Sequence, residues 1–193
     1  MRQSTRVWVV VLFLVVMAGP MVAAGSMEIA GVTFEKHKTV AGKDLVLNGV
    51  AVRKALGIIK VFAGGLYLES ATQNADEVIS SQQVTHVHLT YLTSKATAEK
   101  LKEGFLKAII KANSAEGVAA QKENIDQYAS WLDTDMKPGG TSSSTYIPGA
   151  GLTFRINGVE KGTITDEGFA QIYYRYLVGE KADSALRKGY LGL

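Results

Sequence analysis

The chain has 193 residues, 47% hydrophobic and 20% charged, a balance that suits a packed globular protein and excludes a disordered one. It has 0 Cys, which removes thiol nucleophiles, disulfides and Cys-based metal sites together. Lys and Arg outnumber Asp and Glu by 21 to 18, but taking the leader residues Arg2 and Arg6 from the 21 leaves 19 against 18. The remainder is nearly neutral and has no basic run or basic helical face for nucleic acid.

The leader is defined by Arg2 and Arg6, the apolar run from Val7 to Met17, and the small residues Val22-Ala23-Ala24-Gly25. A basic start, a short apolar stretch and an A-x-A-like site make a secretory signal peptide. About a dozen apolar residues fall short of the roughly 20 that a spanning helix needs. Cleavage is expected after Ala24, giving a signal peptide over 1–24, one domain over 25–193 and a periplasmic or secreted location. A domain of that size can bury a substantial core.

The first half of the domain predicts strands. Residues 28–34 alternate as one strand. Residues 44–47 and 50–52 flank Asn48-Gly49, a two-residue hairpin signal. Residues 57–68 are rich in β-branched and aromatic side chains, and Ala63-Gly64-Gly65 within them marks a bulge or a close approach of another group. Asn74 with Glu77 three residues on predicts a capped short helix. Residues 84–92 return to strand, with Val87, Leu89 and Tyr91 on one face and His86, His88 and Thr90 on the other.

The middle predicts two helices. Over 97–113, Leu101, Phe105, Ala108, Ile109 and Ala112 recur at helical spacing. A second helix over 117–132 places Val118, Ile125, Tyr128 and Leu132 on one stripe. Strands follow over 141–147 and 152–156, and Asn157-Gly158 turns the latter into 159–164. Thr165 is expected to cap a helix that runs to Val178 and stops at Gly179, and a short helix over 183–188 closes the chain. Strands, then helices, then strands and a helix predict an antiparallel α+β domain.

Few residues suggest chemistry. His86 and His88 share a strand face, but no further ligand is spaced to complete a metal site, so no metal or cofactor is expected. Gly149-Ala150-Gly151 precedes a strand and not a helix, and is therefore a turn and not a phosphate cradle. Tyr173, Tyr174 and Tyr176 suit the core face of their helix better than a ligand cavity. Arg53 stands in an apolar stretch. If buried it needs an anionic partner, which a ligand carboxylate can supply; if at an edge, its head reaches water. The sequence leaves both open.

Asn48-Gly49-Val50-Ala51-Val52-Arg53, Lys60-Val61-Phe62 and Gly65-Leu66-Tyr67-Leu68-Glu69 resemble the chalcone isomerase-like family. So do Glu99-Lys100-Leu101, Pro148-Gly149-Ala150-Gly151, Asn157-Gly158, Tyr176-Leu177-Val178-Gly179 and Leu191-Gly192. The resemblance implies an open-faced β-sandwich, a large antiparallel sheet with helices packed on one side. The family holds flavonoid-cyclising enzymes, fatty-acid binders and bacterial members without established activity.

By resemblance, Arg53 falls on the arginine that holds the substrate's anionic oxygen in the enzymes. The catalytic threonine falls on Phe62, a tyrosine on Thr97, an asparagine on Gly104 and a Ser/Thr on Ala170; a one-residue slip would recruit Thr93 or Thr165. With most hydroxyls gone, no efficient isomerase is expected. The expected ligand-binding residues are Arg53, Phe62, Tyr91, Thr97, Ala170 and Tyr173. The expected function is a non-catalytic, exported binding protein for a small carboxylate-bearing apolar ligand such as a fatty acid. The alternatives are an isomerase or intramolecular lyase on another substrate, and a structural envelope protein with Arg53 in an internal salt bridge.

Overall fold

In the computed structural model, residues 25–80 and 82–193 are described; the expected signal peptide, 1–24, lies outside them. The alternation over 28–34 is divided by a turn. Ala30 and Gly31 take φ of 53° and 80°, so β1 (Ser26–Ile29) folds back on β2 (Val32–Glu35) as a small separate hairpin. The alternation hides this turn because apolar and polar positions keep their period on both sides of it.

The remaining strands form one antiparallel sheet in chain order: β3 (His37–Val40), β4 (Lys43–Ala55), β5 (Ile59–Leu68), β6 (Thr85–Tyr91), β7 (Thr141–Ile147), β8 (Gly151–Ile156) and β9 (Val159–Ile164). Asn48-Gly49 is not a hairpin; β4 passes straight through it with a register shift between Leu47 and Gly49. Asn48 is satisfied at long range instead. Its amide donates to Thr72 O and Tyr190 O at 2.9 and 2.7 Å, and its Oδ1 accepts from Thr72 N at 2.7 Å. Gly49 is forced by packing, since a Cβ there would collide with the Gly189 carbonyl.

This bulge sets which way β4 points. Leu45 and Leu47 pack under the β1–β2 hairpin, whereas Ala51 belongs to the core on the opposite face. Side chains alternate with period 2, so odd-numbered residues change face only because Asn48 is inserted. Arg53 thereby faces the helices, opposite Phe62 on β5.

The helices cover that face: α1 (Ala75–Ile79), α2 (Ala98–Ala112), α3 (Ala115–Ala120), α4 (Lys122–Ser130), α5 (Glu167–Val178) and α6 (Ser184–Leu191). The single helix expected over 117–132 is two, broken at Gln121 (φ −109°, ψ 16°), whose side chain donates to Asp166 at 3.0 Å. Asp166, not Thr165, caps α5 by accepting from Phe169 N. The Gly64-Gly65 pair admits a partner from each side. Tyr190 of α6 sits over Gly64, and Phe34 of β2 over Gly65. No described helix is long and apolar enough to cross a membrane.

Candidate ligand cavity

Between the sheet and α2, α4, α5 and α6 lies a cavity of about 350 Å³, within the range of small-ligand sites. Its floor is a cross-strand row. Arg53 pairs with Phe62 and Phe62 with Tyr91 in register, so all three point to the same face. Phe62 and Tyr91 meet edge to face, with ring centroids 6.0 Å apart. The roof is apolar, with Leu101, Phe105 and Ala108 of α2 and Leu186 of α6.

One end carries buried hydroxyls. Tyr173 donates to Ser144 Oγ at 2.8 Å, Tyr128 lies 3.0 Å from the same oxygen, and Tyr91 lies 3.3 Å from Ser142 Oγ. Burial raises the pKa of all three phenols, that of Tyr91 to about 12, so they remain neutral hydrogen-bonding groups. No Asp, Glu or His lines this cavity among the described residues. It offers hydroxyl donors, one guanidinium and the rim ammonium groups of Lys95 and Lys100, but neither carboxylate nor imidazole to act as a general base.

Arg53 combines the two expectations for it. Its Nη1 donates to Asp183 Oδ2 and to Lys54 O, both at 2.8 Å, and the pair is partly exposed, not sealed in the core. Asp183 Oδ1 meanwhile caps α6, accepting from Ala185 N and Leu186 N. Arg53 also borders a second groove of about 240 Å³, whose walls carry Lys107, Lys111 and Lys181. The guanidinium thus stands where an apolar space meets a cationic one. Its Nε and Nη2 are engaged in none of these contacts.

Of the residues expected at the site, Arg53, Phe62, Tyr91 and Tyr173 line the cavity. Thr97 does not; it caps α2, accepting from Lys100 N. Ala170 does not either, being fully buried in the core. Thr93 and Gly104 do line it, whereas Thr165 is exposed beyond it. The tyrosine cluster is part of the core, as its spacing favours, and Tyr173 and Tyr176 also border the cavity, while Tyr174 does not. Ser142, Ser144 and Tyr128 were not anticipated. The run Thr141-Ser142-Ser143-Ser144-Thr145, five hydroxyls in a central strand, was the available signal.

His86 and His88 lie on the other face of β6. Their rings stack at 6.2 Å, with Phe34 edge-on to His88 and Tyr67 beside His86. His86 Nδ1 is 2.8 Å from Thr145 Oγ1. No group of three ligating side chains that could hold a metal occurs among the described residues.

A large antiparallel sheet curled over an apolar cavity, with helices on one side, defines an α+β open-faced sandwich. The chain belongs to the chalcone isomerase-like family, whose model matches residues 26–192. Its structure is similar to the crystal structure of a fatty-acid binding protein from Arabidopsis thaliana, with a TM-score of 0.72 and 17% identity over 86% of this chain and 96% of that one. At that identity the likeness speaks to the fold. A comparison with curated protein sequences finds no match.

Proposed function

We propose that this is an exported binding protein for a single-tailed anionic amphiphile, a fatty acid being the type case. The tail occupies the cavity and the head lies at Arg53. The observation that carries this reading is the position of Arg53, at the junction of an apolar cavity and a lysine-lined groove. A carboxylate placed there can use the guanidinium donors that Asp183 leaves unused, in the bidentate geometry Arg favours. The fatty-acid binding protein of the same fold supports the choice of ligand, and the N-terminal signal pattern supports export.

Native mass spectrometry of the purified protein, with fatty-acid titrations of wild type and Arg53→Ala, tests the reading. A co-purified lipid and a weakened Arg53→Ala are expected. No bound lipid, with equal weak binding by both proteins, contradicts it.

The isomerase reading draws on one observation, the phenol and serine hydroxyls along the cavity. Against it, Phe62 places a ring where the family resemblance implies a hydroxyl, and among the described residues no carboxylate or imidazole lines the space. Turnover of a chalcone that is abolished by both Arg53→Ala and Tyr91→Phe would reverse the preference.

A further inference from the structure

The two most exposed large apolar side chains among the described residues lie on one turn beside the cavity. Leu56 is 89% and Ile58 81% exposed, on the turn joining β4 to β5. Leu56 also borders the cavity, so the opening lies beside this tip. The turn is costly in two ways. Leu56 adopts φ 52°, a left-handed conformation that Asn, Asp or Gly adopts more cheaply, next to Gly57 at 73°. It also holds a large aliphatic side chain in water.

The residues flanking the tip are cationic. Lys54 and Lys60 are directly opposed in the strand register, an arrangement of like charges that is unfavourable on its own. Lys95 and Lys100 stand at the cavity rim, and all four lysines are exposed. None of the four forms an ion pair among the described residues. The acidic residues closest along α2, Glu99 and Glu103, do not line the cavity.

We infer that the β4–β5 tip docks on an anionic lipid bilayer. Leu56 and Ile58 enter the headgroup–acyl boundary, Lys54, Lys60, Lys95 and Lys100 meet the headgroups, and the cavity opens onto lipid. An aliphatic tip ringed by lysines matches the interfacial pattern, with apolar insertion and electrostatic attraction acting together. A second protein copy is a poorer occupant. Two aliphatic side chains fall far short of the about 800 Å² per partner that a stable protein interface buries, and four lysines per copy repel. Docking explains the mutual repulsion of Lys54 and Lys60, which an anionic surface relieves, and the exposed leucine in a strained turn. Transfer of an amphiphile between bilayer and cavity rests on the binding reading above; docking itself does not.

The test is flotation of the purified, ligand-free protein with vesicles of phosphatidylcholine alone and of phosphatidylcholine mixed with phosphatidylglycerol, at low and high salt. Wild type is expected on the phosphatidylglycerol vesicles and to be released by salt. The variant Leu56→Asn with Ile58→Thr should bind at least about tenfold more weakly. Lys54→Gln with Lys60→Gln should weaken binding roughly fivefold per lysine. Absence of wild-type binding to phosphatidylglycerol vesicles overturns the inference, as does binding by both variants equal to wild type. A wild-type dimer in sedimentation velocity that Leu56→Asn with Ile58→Thr dissociates also overturns it, assigning the tip to a second copy. Fatty-acid titration of wild type without vesicles separates the two readings: vesicle binding without fatty-acid binding sustains docking and removes the ligand.

Discussion

Gly104 gives a way to separate folding from binding. It lies in the interior of α2, on the border of both the cavity and the lysine-lined groove, and a Cβ added there meets nothing within 4 Å. Its backbone is not in the left-handed region. Glycine at an exposed helix interior costs about 1 kcal/mol relative to alanine, and no contact here offsets that. Gly104→Ala should therefore raise stability by up to about 1 kcal/mol, a rise in Tm of roughly 2–4 °C for a domain of this size. Gly104→Leu keeps most of the helical gain, because leucine is also a good helix former, but extends its side chain into the ligand space. Thermal unfolding should then show both variants at least as stable as wild type. Titration with a fatty acid should show Gly104→Leu weakened about tenfold or more, equivalent to about 1.4 kcal/mol. A destabilised Gly104→Ala would refute the packing argument. A stable Gly104→Leu with wild-type affinity would place the ligand elsewhere.

Asp183→Asn removes the negative charge beside Arg53. The pair is partly exposed, so the stability loss should stay below about 1 kcal/mol, while a fatty-acid titration should show affinity raised severalfold; unchanged or weaker affinity counts against a carboxylate at Arg53. A pH series should show the histidine pair. Burial foremost, with Lys38 nearby, lowers the pKa of His86 to about 3 and of His88 to about 4; His88 and Arg155 add to the effect on His86. The unfolded chain takes up these protons near pH 6.5 and the folded chain resists them, so their contribution is complete above about pH 6.5 and is lost as pH falls towards 4 and then 3. Urea midpoints measured across that window should fall less steeply for His86→Gln with His88→Gln than for wild type, and parallel slopes contradict the assignment.

Much of the fold is legible in the sequence because its signals are local. The α2 stripe, the Asn74 cap, the Asn157-Gly158 hairpin and the two faces of β6 each follow from spacing or turn chemistry within a few residues. Asn48-Gly49 defeats the same rules because its partners, Thr72 and Tyr190, are distant in sequence. The amide that would favour a tight turn is used to hold α6 against β4, and the chain runs on. The split of 117–132 has the same kind of origin, Gln121 being engaged by Asp166 from α5.

The cavity lining is legible in part: the resemblance points to Arg53 and Phe62, strand alternation to the face of Tyr91, and helical spacing to that of Tyr173. Thr97 and Ala170 fall outside the cavity because a cap and a core position occupy those places in this chain. Ser142 and Ser144 gain their meaning only when β7 is placed beside β6, which brings Ser142 under Tyr91 and Ser144 under Tyr128 and Tyr173. The bulge at Asn48 is the least visible element and the most consequential, since it turns Arg53 from the hairpin side of the sheet to the cavity.

The central claim is that Arg53 receives an anionic head while the cavity holds an apolar tail. The most direct measurement is a parallel titration of wild type and Arg53→Ala with a fatty acid and with its methyl ester, which keeps the tail and removes the charge. A charge-assisted contact is worth about 1.5–3 kcal/mol, so wild type should prefer the acid by roughly tenfold or more, and Arg53→Ala should bind acid and ester alike. Equal affinity of wild type for acid and ester would contradict the account.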